Sequence, residues 1–178
     1  MLSGERFFFK GDGPQAPLKD DNVELIAHPL VTDAFLPFGE VLEAPAEPGQ
    51  RFFSSTLASL RAGASPNLRI VNRPPTALPL QANLLERHEF SSQTFLPLEV
   101  GRVLIVVAPH AAEGGPDVKR AQAFLTSARQ GFTYRSNTWH HGLTVLDQPA
   151  RLAVFMWCDG TAADEQFVSV PAFSVREP

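Results

Sequence analysis

The apolar residues of this chain fall in short runs that are punctuated by proline, glycine, asparagine and aspartate. One run, from Val103 to Ala108, is bounded by Gly101 and Pro109 and predicts a central strand that is buried on both faces. Sixteen prolines scattered along the sequence disfavour long helices. Together these features favour an all-β sandwich or barrel.

The same pattern divides the chain into an extension and one domain. Residues 1–22 are polar, carry a Gly-Asp-Gly-Pro segment and are expected to form a loosely ordered N-terminal extension, while residues 23–178 suffice for a single domain with its own core. One or two short helices are expected, and the first should be capped by Thr32 or Asp33 and end near Gly39. Further strands are predicted at 23–27, 40–42, 67–72, 143–146 and 151–157.

Composition narrows the possible partners. The formal net charge is −4, and no basic run is present, which argues against nucleic acid or a membrane surface as a partner. Cys158 is the single cysteine, which excludes an internal disulfide framework and suits a reducing, cytoplasmic compartment. No apolar run approaches the ~20 residues that span a bilayer, and Phe7-Phe-Phe9 is too short for the core of a signal peptide.

A polar stretch at residues 86–98 carries the first candidate chemistry. Glu86 and His88 point to the same side of a strand, so a carboxylate lies beside an imidazole, which is half of a metal site or an acid/base pair. Ser91-Ser92 then breaks the alternation and predicts a turn or bulge before Gln93. The alternative interpretation is a charged, solvated strand face.

A second stretch, at residues 134–141, contains the pair His140-His141. Because the two histidines are adjacent, only one can face a given pocket on an extended chain. Such a pair is more often incidental than functional when it stands alone. It becomes a stronger candidate when a distant strand supplies Glu86, His88 and Gln93.

These two stretches resemble the two motifs of the cupin superfamily. Glu86-x-His88, followed by Gln93, stands where cupins usually have His-x-His and a glutamate, and Asn137-Thr-Trp-His140 stands where they have Gly-x-x-His. Glutamate replaces the first histidine, glutamine replaces the glutamate, and asparagine replaces the glycine.

The departures themselves match one family, the ureidoglycolate lyases of allantoin catabolism. Three segments are similar to that family in the same order: Ile-Val-Asn-Arg73, Glu86-Arg-His with the following Gln93-x-Phe-x-Pro, and Asn137-x-Trp-His-His141. The resemblance implies a cupin double-stranded β-helix, a jelly-roll-like barrel that is expected to form a homodimer. It also implies cleavage of (S)-ureidoglycolate to glyoxylate and urea.

The resemblance implies a set of site residues, which are the residues of this chain at the positions of the family's motifs. The catalytic candidates are Glu86, His88, His140 and His141. The candidates for substrate binding are Arg73, Gln93, Tyr134, Arg135 and Trp139. If a metal is bound, its expected ligands are Glu86, His88, Gln93 and His140.

The chemistry of these residue types suggests a role for each. Two oxygen donors and two imidazoles suit nickel, manganese, zinc or iron, although glutamine is a weak ligand and a metal-free site is the alternative. Glu86 or His141 would be the general base. Arg73 or Arg135 would pair with the substrate carboxylate. Tyr134 could donate to the leaving group, and Trp139 is better explained by packing.

Two other functions fit the same barrel, since a fold does not fix an activity. One is a different cupin enzyme that acts on a small acid, such as a dioxygenase or an isomerase. The other is a non-catalytic protein that binds a small acid.

Overall fold

A computed structural model describes residues 23–99 and 101–178 of the chain, so the predicted extension at 1–22 lies outside the described residues. The described part contains one short helix, α1 (Thr32–Phe35), two 3₁₀ turns and twelve strands. The strands are β1 (Val23–Pro29), β2 (Gly39–Leu42), β3 (Ser65–Arg73), β4 (Leu80–Arg87), β5 (Gln93–Pro97), β6 (Val103–Ala108), β7 (Gln122–Leu125), β8 (Gly131–Tyr134), β9 (Trp139–His140), β10 (Thr144–Val145), β11 (Ala150–Cys158) and β12 (Gln166–Arg176). The all-β class and the near absence of helix are confirmed.

The strands form two sheets. The first has the order β10-β6-β7-β1-β12-β4-β9, and β9 also pairs with β6, so that six of its strands close into a ring. The second has the order β2-β8-β5-β11-β3. Pairing is antiparallel except along β1, which runs parallel to both β12 and β7. This arrangement is a cupin-like β fold, as the sequence motifs imply.

Strand β6 is the common wall of two hydrophobic cores. All six of its residues are buried, which confirms the prediction of a central strand. Val103, Ile105 and Val107 face the space between the two sheets, and the intervening residues face the interior of the ring. The uninterrupted apolar run follows from this position, because a strand that is buried on both faces has no polar side.

The core between the sheets is rich in aromatic rings. Phe95 stacks on Phe132, with ring centroids 4.9 Å apart, and Phe35 meets Phe132 edge to face at 6.4 Å. Strands from both sheets contribute to this core. The second core is made by all six strands of the ring and includes Trp139 and Phe173. Burial of these two cores is the main force that holds the sheets together.

The first helix differs from its prediction in how it begins. Val31 occupies the N-cap position without a side-chain hydrogen bond, and Thr32 and Asp33 lie inside the helix, so the predicted cap is wrong. Phe35 is fully buried and anchors the turn. Tertiary burial, rather than capping, therefore fixes a helix this short. Gly39 is the first residue of β2 rather than a helix stop.

The other predicted strands all form. Only the strand predicted at 143–146 is shorter than expected, as β10. No helix in the described ranges is long and apolar enough to cross a membrane.

Candidate active site

A cavity of about 610 Å³ opens between the second sheet and the end of β4. Arg69, Val71 and Arg73 of β3 line one side of this cavity, and Glu86 of β4 lines another. Further lining residues are Gln93, Phe95, His141, Gly142, Thr144, Val154 and Glu165. The cavity thus combines an apolar floor with several ionisable side chains, which is typical of small-molecule sites.

Three of the predicted site residues form a buried cluster, of which Glu86 lines this cavity while His88 and His140 are not among its lining residues. Glu86 and His88 come from β4 and the residue after its end, and the antiparallel pairing of β4 with β9 places His140 opposite Glu86. One ligating atom from each of the three lies within 4.8 Å of the others. Nε2 of His140 is 3.3 Å from Oε1 of Glu86. The two sequence motifs therefore meet in space, and their cluster could hold a metal ion.

Backbone carbonyls fix the tautomers of both imidazoles in the cluster. Nδ1 of His88 is 2.8 Å from the carbonyl oxygen of Asp164, and Nδ1 of His140 is 2.8 Å from that of Thr138. A carbonyl oxygen only accepts, so each neutral ring carries its proton on Nδ1 and its lone pair on Nε2. Both Nε2 atoms are buried without a hydrogen-bond partner in the described part of the chain. Carbonyl-oriented imidazoles of this kind are common among metal-ligating histidines.

Gln93 provides a fourth buried acceptor. Its Nε2 approaches Sδ of Met156 at 3.8 Å, and its Oε1 is buried without a hydrogen-bond partner among the described residues. Buried acceptors are rarely left unsatisfied in proteins, so such atoms indicate a ligand or ion. The donor set of Glu86, His88, Gln93 and His140 fits a divalent cation with nitrogen and oxygen ligands.

The protonation states also suit this role. Burial, followed by the charge of His140, lowers the pKa of His88 to about 4. Burial raises the pKa of Glu86, but the contact with His140 and the nearby His88 and His141 outweigh burial, and the pKa lies below its usual value. At neutral pH the site therefore contains the carboxylate of Glu86 and the neutral imidazole of His88, which are the protonation states in which these groups bind a metal or accept a proton.

His141 also reaches the cavity, although it follows His140 directly. Strand β9 ends at His140, so the strict alternation that the sequence suggested does not continue. Nδ1 of His141 is 3.0 Å from the carbonyl oxygen of Gly142 and 3.2 Å from Oγ1 of Thr144, which leaves Nε2 as the basic nitrogen. Burial lowers the pKa of His141, so the ring is available as a base near neutral pH.

The remaining predicted site residues lie in three different parts of the structure. Arg73 lines the cavity. Tyr134 and Trp139 are buried in the two hydrophobic cores, and the ring of Tyr134 stacks on His140 at 4.0 Å. Arg135 lines a separate cavity of about 460 Å³, where its Nε donates to the carbonyl oxygen of Leu36. The structure therefore brings Arg73 to the site but places Tyr134, Arg135 and Trp139 outside the lining of its cavity.

Two further ionisable residues, Arg69 and Glu165, line the cavity without having been predicted from the sequence. Arg69 shares its face of β3 with Val71 and Arg73, so the two-residue spacing could have revealed it. Glu165 follows a 3₁₀ turn and had no comparable signal. Burial, and then the charge of Glu86, raise the pKa of Glu165.

Comparison with known proteins points to the same family as the sequence motifs. The family model described as ureidoglycolate lyase matches residues 22–175. A ureidoglycolate lyase of Chelativorans sp. is 37% identical over 83% of this chain and 94% of that protein. One of Rhizobium etli is 36% identical over 84% of this chain and 94% of its own length, and one of Schizosaccharomyces pombe is 30% identical over 80% and 88%. With the matched range spanning both site motifs, the chain belongs to the ureidoglycolate lyase family.

Proposed function

We propose that this protein is a ureidoglycolate lyase, which cleaves (S)-ureidoglycolate to glyoxylate and urea. The observation that carries the proposal is the cluster of Glu86, His88 and His140, whose two Nε2 atoms are buried without a hydrogen-bond partner in the described ranges. The family membership supports the choice of substrate.

The reaction needs a base and an acid on opposite sides of one carbon. The base removes the hydroxyl proton, the C–N bond breaks as the C=O bond of glyoxylate forms, and the urea nitrogen takes the bond's electrons and a proton. Two groups at the cavity suit the base: the carboxylate of Glu86 and Nε2 of His141. The predicted substrate contacts of Tyr134, Arg135 and Trp139 stay predictions.

Glu86, His88, Gln93 and His140 are the residues that would hold a divalent metal. Bound there, nickel, manganese, zinc or iron would lower the pKa of the substrate hydroxyl and neutralise the charge that develops on its oxygen. The amide of Gln93 contributes no charge, so the affinity for metal depends mainly on the other three. In a metal-free enzyme the same four acceptors would bind the hydroxyl and ureido hydrogens of the substrate directly.

The test is product analysis on racemic ureidoglycolate. The lyase assignment predicts urea and glyoxylate in equal amounts, with release stopping near half conversion because one enantiomer is used. Release of ammonia in place of urea, or no release above the spontaneous rate, would refute it. A requirement for O₂ would instead identify an oxygenase.

The metal requirement is tested in the same assay. Protein stripped by a chelator should lose activity and regain it with Ni²⁺, Mn²⁺ or Zn²⁺ if the cluster works as a metal centre. Activity that ignores both chelator and added metal would establish the metal-free alternative.

We also propose that the protein is a cytoplasmic homodimer. Strand β3 lies at the edge of the second sheet and is exposed along most of its length, with Leu68 and Ile70 69% and 60% exposed. An edge strand with apolar side chains is suited to pairing with a second copy. The location is inferred from the single cysteine.

A further inference from the structure

Two arginines on one face of β3 point into the same cavity. Arg69 and Arg73 alternate with outward-facing residues, and both line the cavity together with Val71. Neither guanidinium donates a hydrogen bond or forms an ion pair within residues 23–99 and 101–178. Two unpaired cations in one cavity are suited to bind an anion.

The register of the second sheet separates the two arginines. Gln93 pairs with Met156 on β11, and Arg69 pairs with Val154, which is two residues away along the same strand. Arg73 pairs with Ala150, six residues from the Gln93 position and beyond the end of the β5 ladder. At roughly 3.3 Å per residue, Arg69 is offset from Gln93 by about 7 Å along the strand and Arg73 by about 20 Å.

The electrostatics of the site agree with this placement. Burial and Glu86 raise the pKa of Glu165, and Arg69 opposes them. Arg69 is thus within electrostatic reach of Glu165, which lines the same cavity.

We propose that Arg69 is the residue that binds the carboxylate of the substrate, with Arg73 guiding the anion at the rim of the cavity. The inference rests on the proposed function. In ureidoglycolate the carboxylate and the hydroxyl are on adjacent carbons, so a substrate whose hydroxyl contacts the cluster must place its carboxylate close by. Arg69 has the smaller offset from Gln93 and is therefore the better placed of the two arginines to meet it, and a guanidinium can pair with both carboxylate oxygens.

The test compares two small ligands that differ only in charge. Glycolate has the hydroxyl and carboxylate of the substrate, and glycolamide replaces the carboxylate by a neutral amide. Binding of each is measured by calorimetric titration, which needs no turnover, on the wild type and on Arg69→Gln, Arg69→Lys, Arg73→Gln and Arg151→Gln. Arg151 is the matched control, because it is an exposed arginine of the same sheet, with its Nη1 3.3 Å from Oε1 of Glu99.

Arg69→Gln should weaken glycolate binding about 10- to 100-fold, as expected for a charge-assisted bidentate contact, and leave glycolamide binding within about 2-fold. Arg69→Lys should retain part of the affinity because it keeps the charge but loses the fork. Arg73→Gln should have a smaller effect than Arg69→Gln, and Arg151→Gln none.

Equal losses for glycolate and glycolamide, or a larger loss in Arg73→Gln than in Arg69→Gln, would overturn the assignment. Thermal unfolding of each variant verifies that it is folded. Failure of the lyase proposal can be told apart from failure of the Arg69 assignment. If the lyase proposal fails, the wild type releases no urea, but the glycolate titration still shows which arginine binds the carboxylate.

Discussion

The candidate site is marked by acceptor atoms that are buried away from water and receive no hydrogen bond from the described residues. Nε2 of His88, Nε2 of His140 and Oε1 of Gln93 are buried and unsatisfied within the part of the chain that the structure describes. Each such atom costs about 1–3 kcal/mol of folding free energy. Strand alternation and the two motifs had singled out these three residues as site candidates. The sequence also predicted that Trp139 packs in the core, but not that Tyr134 does, because alternation gives two faces without saying which one is the interior.

The burial of His88 predicts a pH-dependent loss of stability. Burial and His140 lower its pKa to about 4, whereas the unfolded chain has a pKa near 6.5. Between these values the unfolded chain binds the additional proton, so the free energy of unfolding falls as the pH drops from 6.5 to 4, by a few kcal/mol in total. Urea denaturation in the presence of chelator should show this slope in the wild type and a shallower one in His88→Gln. Parallel pH profiles would contradict the assignment.

At the level of elements, close backbone packing positions the site. β2 pairs with β8, which pairs with β5, and Tyr134 at the end of β8 stacks on His140. The alternating sequence patterns predicted most of these strands, since each strand carries its own apolar side chains. The helix cap was predicted wrongly, because the burial of Phe35 depends on residues distant in sequence, such as Phe124 and Phe132.

A substitution at Gly39 tests whether the close packing of β2 against β8 is needed for stability. A Cβ there would lie 1.9 Å from the carbonyl oxygen of Thr133 and 2.7 Å from the ring of Phe35, so β2 would have to move away from β8. Gly39→Ala should destabilise the protein by about 3 kcal/mol, the upper end of the usual cost of overpacking. Gly49→Ala is the matched control, because its Cβ would meet only Glu47 O at 3.9 Å. Similar denaturation midpoints for the two variants would refute this role of Gly39.

For the whole molecule, the second sheet ends in two strands, β2 and β3; β2 is mostly buried, whereas β3 is exposed along most of its length. The ring closes on itself and has no free edge at β6 or β9, whereas β3 ends the second sheet. The outer face of β3 continues across the sheet through the pairs Ile70–Ala153 and Ala153–Leu96. The barrel class could be predicted from the sequence, but this surface could not, because it depends on which strand is last in the sheet.

The proposed homodimer is tested on this surface. Ile70→Lys should shift the protein from dimer to monomer in sedimentation velocity, since a charge on the edge of a sheet opposes pairing. Val31→Lys is the control, as Val31 is 53% exposed outside the strands. A monomeric wild type, or a dimer unchanged by Ile70→Lys, would contradict the proposed interface.

Urea release by Glu86→Gln tests directly whether the cluster of Glu86, His88 and His140 performs the lyase reaction. The substitution keeps the shape of the side chain and removes its charge, so kcat/KM should fall at least about 100-fold, as for the loss of a general base or a charged ligand. Glu99→Gln, at an exposed residue paired with Arg151, should retain wild-type activity. A folded Glu86→Gln protein with a wild-type rate would show that the reaction takes place elsewhere.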